Sequence, residues 1–418
     1  MSDTKLLEAS RAIPVLDKLI QVSIFTFVAF SMFSISVTQI ALAIGIIGWL
    51  LKIHFTKSWK DLRGTQVGIP ILCFCLACIL SIITSVDWKI SLGLLKKLVQ
   101  FVIIFWVANV VQDKKQRDLL VGLIIVAGVV SALNGLSLFL NPDFSGEHID
   151  FVGTMSSVAT FSGTLMLVSV MTLGKALFQK PKKYWLFWSV GIIGLCLLSS
   201  LTRQAWLGFF LGTAFLVYFW NKKYLLVLPL LLAGLLLFSP DRIKNRMVSM
   251  TDLQTPSLQA RIGLWKGGVE IFKDYPLTGC GYKCVDLVHS QYPDPTGYGE
   301  GASFIGYVEY YKGMHNNILQ LLIDTGVIGL GFWISIWVTY FIEILKRFRA
   351  LANQTCQNNS QGILMGSLAA AIAFLIGGFF ETNIYDSEVA MLLYFLMGIS
   401  LTDIQKSAPK KNLKAEEF

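Results

Sequence analysis

Arg203, Arg261 and His315 come from separate segments of the chain, and their side-chain types could do chemistry together. His315 precedes Asn316 at the threshold of an apolar run that begins at Asn317. As a neutral imidazole it can accept a proton from a hydroxyl nucleophile. A guanidinium group matches phosphate oxygens two at a time, so Arg203 and Arg261 could hold a diphosphate as it departs. One base and two anion-binding groups suit transfer from a pyrophosphate leaving group. Each residue alone has a plainer reading. His315 could be an interfacial polar residue, Asn316 a helix cap, Arg203 a snorkelling arginine and Arg261 a solvated helix position. Whether they meet depends on the elements that carry them.

Those elements are membrane spans. Of 418 residues 54% are apolar and 15% charged, with a mean hydropathy of +0.62, whereas soluble chains carry about 25% charge. A helix needs about 20 apolar residues to cross roughly 30 Å of hydrocarbon. Apolar stretches near 19–37, 39–53, 67–86, 98–112, 118–140, 156–178, 184–200, 204–220, 224–239, 317–345, 362–384 and 387–403 point to about twelve spans. Strand alternation is missing, which argues against a β-barrel. The expected fold class is an all-α polytopic membrane protein with one large loop. Residues 1–418 read as a single integral membrane domain, with 240–316 as a cap between the ninth and tenth spans.

Short cytoplasmic segments retain Lys and Arg. With both termini inside, 23 of the 35 basic residues lie inside and 12 outside. Met1–Lys18 then reads as a cytoplasmic tail, and the loop 240–316 faces the periplasm or cell exterior. The outer group Lys89, Lys96 and Lys97 fits this count less well. Lys182-Lys183 and Lys222-Lys223 both prefer the cytoplasm, so the chain between them should reverse near Ser199–Thr202, placing Arg203 at the outer face. The net charge of +9 is mainly a topology signal, and nucleic-acid binding is not inferred from it.

The seventy-seven residues from Pro240 to Asn316 gather ionisable groups, among them Arg242, Arg246, Asp274, His289, Glu300 and Glu309, while the spans hold almost nothing that ionises. Within the loop, Leu258–Lys273 reads as an amphipathic helix with Leu258, Ile262, Trp265, Val269 and Phe272 on one face. Pro276 stops it and Gly279-Cys280-Gly281 turns the chain. Tyr292–Tyr311 is irregular and aromatic, suiting a lid, a sugar-stacking surface or an inert loop. Cys280 and Cys284 could pair in an oxidising compartment, whereas Cys73, Cys75, Cys78 and Cys196 read as packing residues. The loop has no Asp-x-Asp and no His/Glu cluster, so no metal and no cofactor is expected. Gly-x-Ser-x-Gly and a P-loop are missing too, which argues against a serine hydrolase and an ATP-driven pump.

His315-Asn316, nine residues, then Gly326-Val327-Ile328-Gly329 resembles the His-Asn/Ser/Gln, nine-residue gap, Gly-x-x-Gly signature of the O-antigen ligase and polymerase superfamily. Arg203-Gln204-Ala205-Trp206-Leu207 is similar to its Arg-x-x-x-Leu element. Ala260-Arg261-Ile262-Gly263-Leu264-Trp265 with Pro276-Leu277-Thr278-Gly279-Cys280-Gly281 resembles its loop of Arg, aromatic and Pro-Leu-x-Gly-x-Gly. The resemblance implies a GT-C-like glycosyltransferase of the cell inner membrane, with the large loop in the periplasm. It would move a glycan from undecaprenyl diphosphate to a sugar hydroxyl of lipid A-core or another glycan, without metal and with inversion. Carried over by position, His315 would be the base, Arg203 and Arg261 would bind the diphosphate, and Asn316, Gly326 and Gly329 would support them. The partners implied are that lipid-linked donor, the glycan acceptor and membrane lipid. Two alternatives stay open: a polymerase joining carrier-linked repeat units, and a lipid-linked glycan transporter, which would need ionisable groups inside its spans.

Overall fold

The computed structural model describes residues 3–62, 64–139, 153–250, 252, 254–292, 313–352 and 358–402. Arg63, residues 140–152, the stretch 293–312 with Asp294, Glu300 and Glu309, and the tail with Lys410 and Lys411 lie outside the described residues. The proposed aromatic lid therefore falls almost wholly outside them.

Among the described residues the regular elements are helices. They run α1 Asp3–Phe30, α2 Ile35–Thr56, α3 Gly68–Ile83, α4 Trp88–Val110 (α and 3-10 turns mixed), α5 Lys114–Phe139, α6 Val158–Phe178, α7 Tyr184–Ser199, α8 Arg203–Asn221, α9 Val227–Phe238, α10 Asp241–Val248, α11 Pro256–Asp274, α12 Asn317–Ala352, α13 Asn358–Gly377 and α14 Ser387–Ser400. Eight stretches are long and apolar enough to cross a membrane: α1 from Ala12, α2, α4, α5, α6, the run Arg203–Phe238, α12 to Leu351, and α13 from Ser360. α3, α7 and α14 are shorter apolar helices. The expected spans 204–220 and 224–239 fall in one apolar run. Asn221 interrupts it with an extended backbone (φ −165°, ψ 105°), and its side chain accepts from Lys223 N to cap the turn Lys222–Leu226.

Small residues set how the bundle closes, as expected where lipid gives no apolar driving force between helices. A Cβ on Gly174 of α6 would lie 2.4 Å from Gly366 Cα of α13, and one on Gly208 of α8 would lie 2.6 Å from Ala373 O. The alanine-rich α13 is thus gripped by α6 and α8. The reversal expected at Ser199–Thr202 is present: Leu201 takes a left-handed backbone (φ 53°) between α7 and α8. Trp206 Nε1 ties the turn by donating to Leu197 O at 2.8 Å.

Three expectations change. The spans do hold ionisable side chains: Asp324 in α12 is fully buried, and Arg117 and Lys175 are each 5% exposed. Their burial is tolerated where partners are supplied. Asp324 accepts from Gln320 Nε2 (3.1 Å to each oxygen) and from the Tyr385 hydroxyl (2.7 Å). The second change concerns α11, which forms as expected but turns a different face inward. Ala260, Leu264 and Ile271 are buried, while Val269 is 42% exposed. The reason is close approach. A Cβ on Gly268 would lie 2.8 Å from Ile323 Cδ1 and 2.9 Å from Met314 Sδ, so the glycine side of α11 seats on the start of α12.

The expected single span from Asn317 is also broken. Gly326 leaves helical geometry (φ 65°, ψ −171°). A break of this kind frees backbone groups that need partners at membrane depth. The segment after α11 supplies them. Cys280 N donates to Ile323 O (2.9 Å) and Gly281 N to Asp324 O (3.2 Å), while Val327 N donates to Pro276 O (2.9 Å) and Ile328 N to Leu277 O (3.3 Å). Pro276–Gly281 is thereby laced into α12.

Candidate functional site

His315 sits on the short segment leading into α12, with a left-handed backbone (φ 46°) that a non-glycine residue adopts only when its surroundings hold it there. The holding contacts come from both sides. Met314 N donates to Gln320 Oε1 at 3.0 Å, and Asn316 N donates to Thr382 Oγ1 at 3.3 Å. Asn316 Oδ1 accepts from Ile318 N (2.9 Å) and Leu319 N (3.0 Å), so this residue caps the helix. Asn317 N donates to Gly378 O at 2.7 Å, and its side chain bonds Asn383 and Ile384 N. The loop between α13 and α14 is thus fastened to the His315 segment.

That loop brings a residue the sequence reading gave no role. Glu381 Oε1 lies 2.9 Å from His315 Nδ1, with the two side chains 17% and 19% exposed respectively. Gln204 Nε2 donates to Glu381 Oε2 at 3.4 Å, and Thr382 N donates to Oε1 at 3.1 Å. Burial acts to raise the Glu381 carboxyl, but the hydrogen bond from His315, the Arg261 guanidinium and the Thr382 N–H outweigh it and hold it below its ordinary value. A carboxylate on Nδ1 places the proton there and leaves Nε2 as the acceptor.

Arg261 acts on this pair, and two further arginines lie within charge range of Arg261. Arg203, at the start of α8, donates through Nη2 to Ser249 Oγ at 2.7 Å. Arg246 of α10 donates through Nε to Leu201 O at 3.0 Å. Arg261 of α11 lies one helical turn before Trp265, whose Nε1 donates to Met314 O at 2.8 Å and whose ring packs 6.3 Å from Phe380. Trp265 therefore fixes α11 to both the His315 and the Glu381 segments. Burial, then the charges of Arg203 and Arg261, depress the Arg246 guanidinium to about 10. The Nε atoms of Arg203 and Arg261 are buried and have no hydrogen-bond partner among the described residues. A buried unsatisfied donor is expensive unless a ligand completes it. Crowded positive charge with spare donors is suited to a multiply charged anion.

The structure thus gathers His315, Arg203 and Arg261, which the sequence reading singled out, at one end of the bundle. It adds Glu381, Gln204 and Arg246. Arg246 carried a signal as one of the loop's ionisable residues, but Glu381, in the turn after α13, carried none. Gly326 acts at a distance, by breaking α12. Gly329 lies one turn below, where a Cβ would come 2.1 Å from Thr325 Oγ1.

No curated protein matches the chain in sequence. A family model described as O-antigen ligase matches residues 188–334, which span all three arginines, His315 and the Gly326 break. That match supports the O-antigen ligase and polymerase superfamily for residues 188–334.

Proposed function

We propose that the protein is a ligase of the cell inner membrane that moves a glycan from undecaprenyl diphosphate to a sugar hydroxyl of lipid A-core on the periplasmic side. The observation that carries this reading is the His315–Glu381 pair set against Arg203, Arg246 and Arg261. The acceptor hydroxyl oxygen attacks the anomeric carbon as the bond from that carbon to the diphosphate oxygen breaks. His315 Nε2 takes the hydroxyl proton, and Glu381 stabilises the imidazolium that forms. The electron pair leaves on the diphosphate, where the arginines take up its charge. A single displacement inverts the anomeric centre. The Cys280–Cys284 disulfide, with Cα atoms 5.7 Å apart, supports an oxidising location for this face.

The test is complementation of a strain lacking the gene, with lipopolysaccharide and the carrier-linked glycan pool measured together. The expected result for His315→Ala, inserted at normal levels, is unmodified lipid A-core and accumulated carrier-linked glycan, with transfer down about 10²–10⁴-fold. Wild-type transfer by that variant would sink the reading. Glycans that stay attached but become short would favour the polymerase instead.

A further inference from the structure

Lys96 and Lys97 stand on the face that the basic-residue count makes outer, within the apolar stretch Trp88–Val110. Lysines in such a stretch mark a ligand or ion site by default. Here they border a cavity of about 680 Å³ between α2, α4 and α14. Its polar side is formed by Gln39, Lys96, Lys97, Gln100 and Tyr282, and its apolar side by Leu42, Ile46 and Met391 among others.

Among the described residues the lysines there form no direct ion pair. Lys97 Nζ donates to Tyr385 O (2.5 Å) and Ser387 Oγ (2.8 Å), which leaves one of its three donors over. The carboxylates that feel Lys97 are Asp386 and Glu388. Both have other partners: the Thr160 hydroxyl donates to Asp386, and Ser156 Oγ donates to Glu388 at 3.1 Å. Among the described residues neither forms an ion pair with Lys96 or Lys97. Lys283 adds a third positive charge in range. Its Nζ sits 5.8 Å from the Tyr282 ring, on a backbone in the left-handed region (φ 57°). Lys97 and Lys283 are like charges in range of each other beside a low-dielectric wall, and an anion near them relieves that repulsion.

We propose that this cavity binds the phosphate-bearing headgroup of an anionic membrane lipid. Lys96 and the spare donor of Lys97 contact the phosphate, and the lipid chain lies along Leu42, Ile46 and Met391. The apolar wall selects a lipid over free phosphate, because a phosphate ion gains nothing from those side chains. The cavity shares no lining residue with the arginine cluster, and Tyr385 ties it to α12, its carbonyl accepting from Lys97 and its hydroxyl donating to Asp324.

Native mass spectrometry of the full chain in detergent, titrated with phosphatidylglycerol, phosphatidylcholine or inorganic phosphate, tests this independently of transfer. The expected result is a phosphatidylglycerol adduct held about tenfold more tightly than phosphatidylcholine, and weakened about tenfold in Lys96→Glu, as for one lost charge-assisted contact. Ala43→Trp, at an exposed position on the apolar wall, should remove the adduct with both lysines intact. Three outcomes would overturn the proposal: equal retention of the two lipids, an adduct indifferent to both substitutions, or displacement of phosphatidylglycerol by millimolar inorganic phosphate.

Discussion

His315 is held in a left-handed backbone that costs about 1–3 kcal/mol for a residue with a side chain. The contacts that keep it there also aim its ring at Glu381. A carboxylate in that position fixes one tautomer, so Glu381→Gln should insert normally, leave KM nearly unchanged and lower kcat about 10²–10⁴-fold, read from initial rates with purified donor and acceptor. Retention of wild-type kcat would remove Glu381 from the mechanism. The pH sense follows from its depressed carboxyl. The stabilising contribution of ionised Glu381 is complete above the unfolded value of about 4.3 and is lost only as pH falls through the lower folded value. His315, Arg203 and Arg261 were legible from their types and motif spacing. Glu381 was not, because it lies sixty-six positions beyond His315 in a turn whose sequence carries no pattern.

At the scale of elements, the break in α12 organises the site. Gly326 opens the helix, and the Pro276–Gly281 segment answers the freed backbone groups one by one. A Cβ at position 326 would meet Leu277 O at 2.1 Å, and the backbone there is left-handed. Gly326→Ala should therefore lower stability by at least about 1–3 kcal/mol and loosen Pro276–Gly281, seen as a lower melting temperature and faster amide exchange at Cys280 and Gly281. Unchanged exchange would separate the two segments. The glycines of both motifs could be seen in the sequence, but not that they close on each other. For α11 the sequence pattern misled, because large apolar residues outweigh glycines in any periodicity. What seats that helix is the absence of side chains on its glycine face.

At the scale of the whole molecule, α8, α10 and α11 deliver Arg203, Arg246 and Arg261 to one end of the bundle, where their charges press on one another. Inorganic pyrophosphate should relieve that repulsion and raise the melting temperature, by about 2.7 kcal/mol of linkage at a hundredfold excess over Kd. The shift should fall by at least half in Arg246→Gln, which removes one of the three charges. Thermal scanning in detergent reads this directly, and no shift in the wild type would count against a diphosphate site. The sequence by itself determined the helical membrane class, the reversal before Arg203 and three residues of the candidate site. These follow from hydropathy, from where Lys and Arg fall and from motif spacing, all of them local along the chain. The tertiary structure decided the rest: the partner of His315, the third arginine, the inward face of α11 and the charges buried in the spans. Each of these depends on contacts between segments far apart in sequence, where glycine-mediated approach and the pairing of freed backbone groups leave no periodic trace.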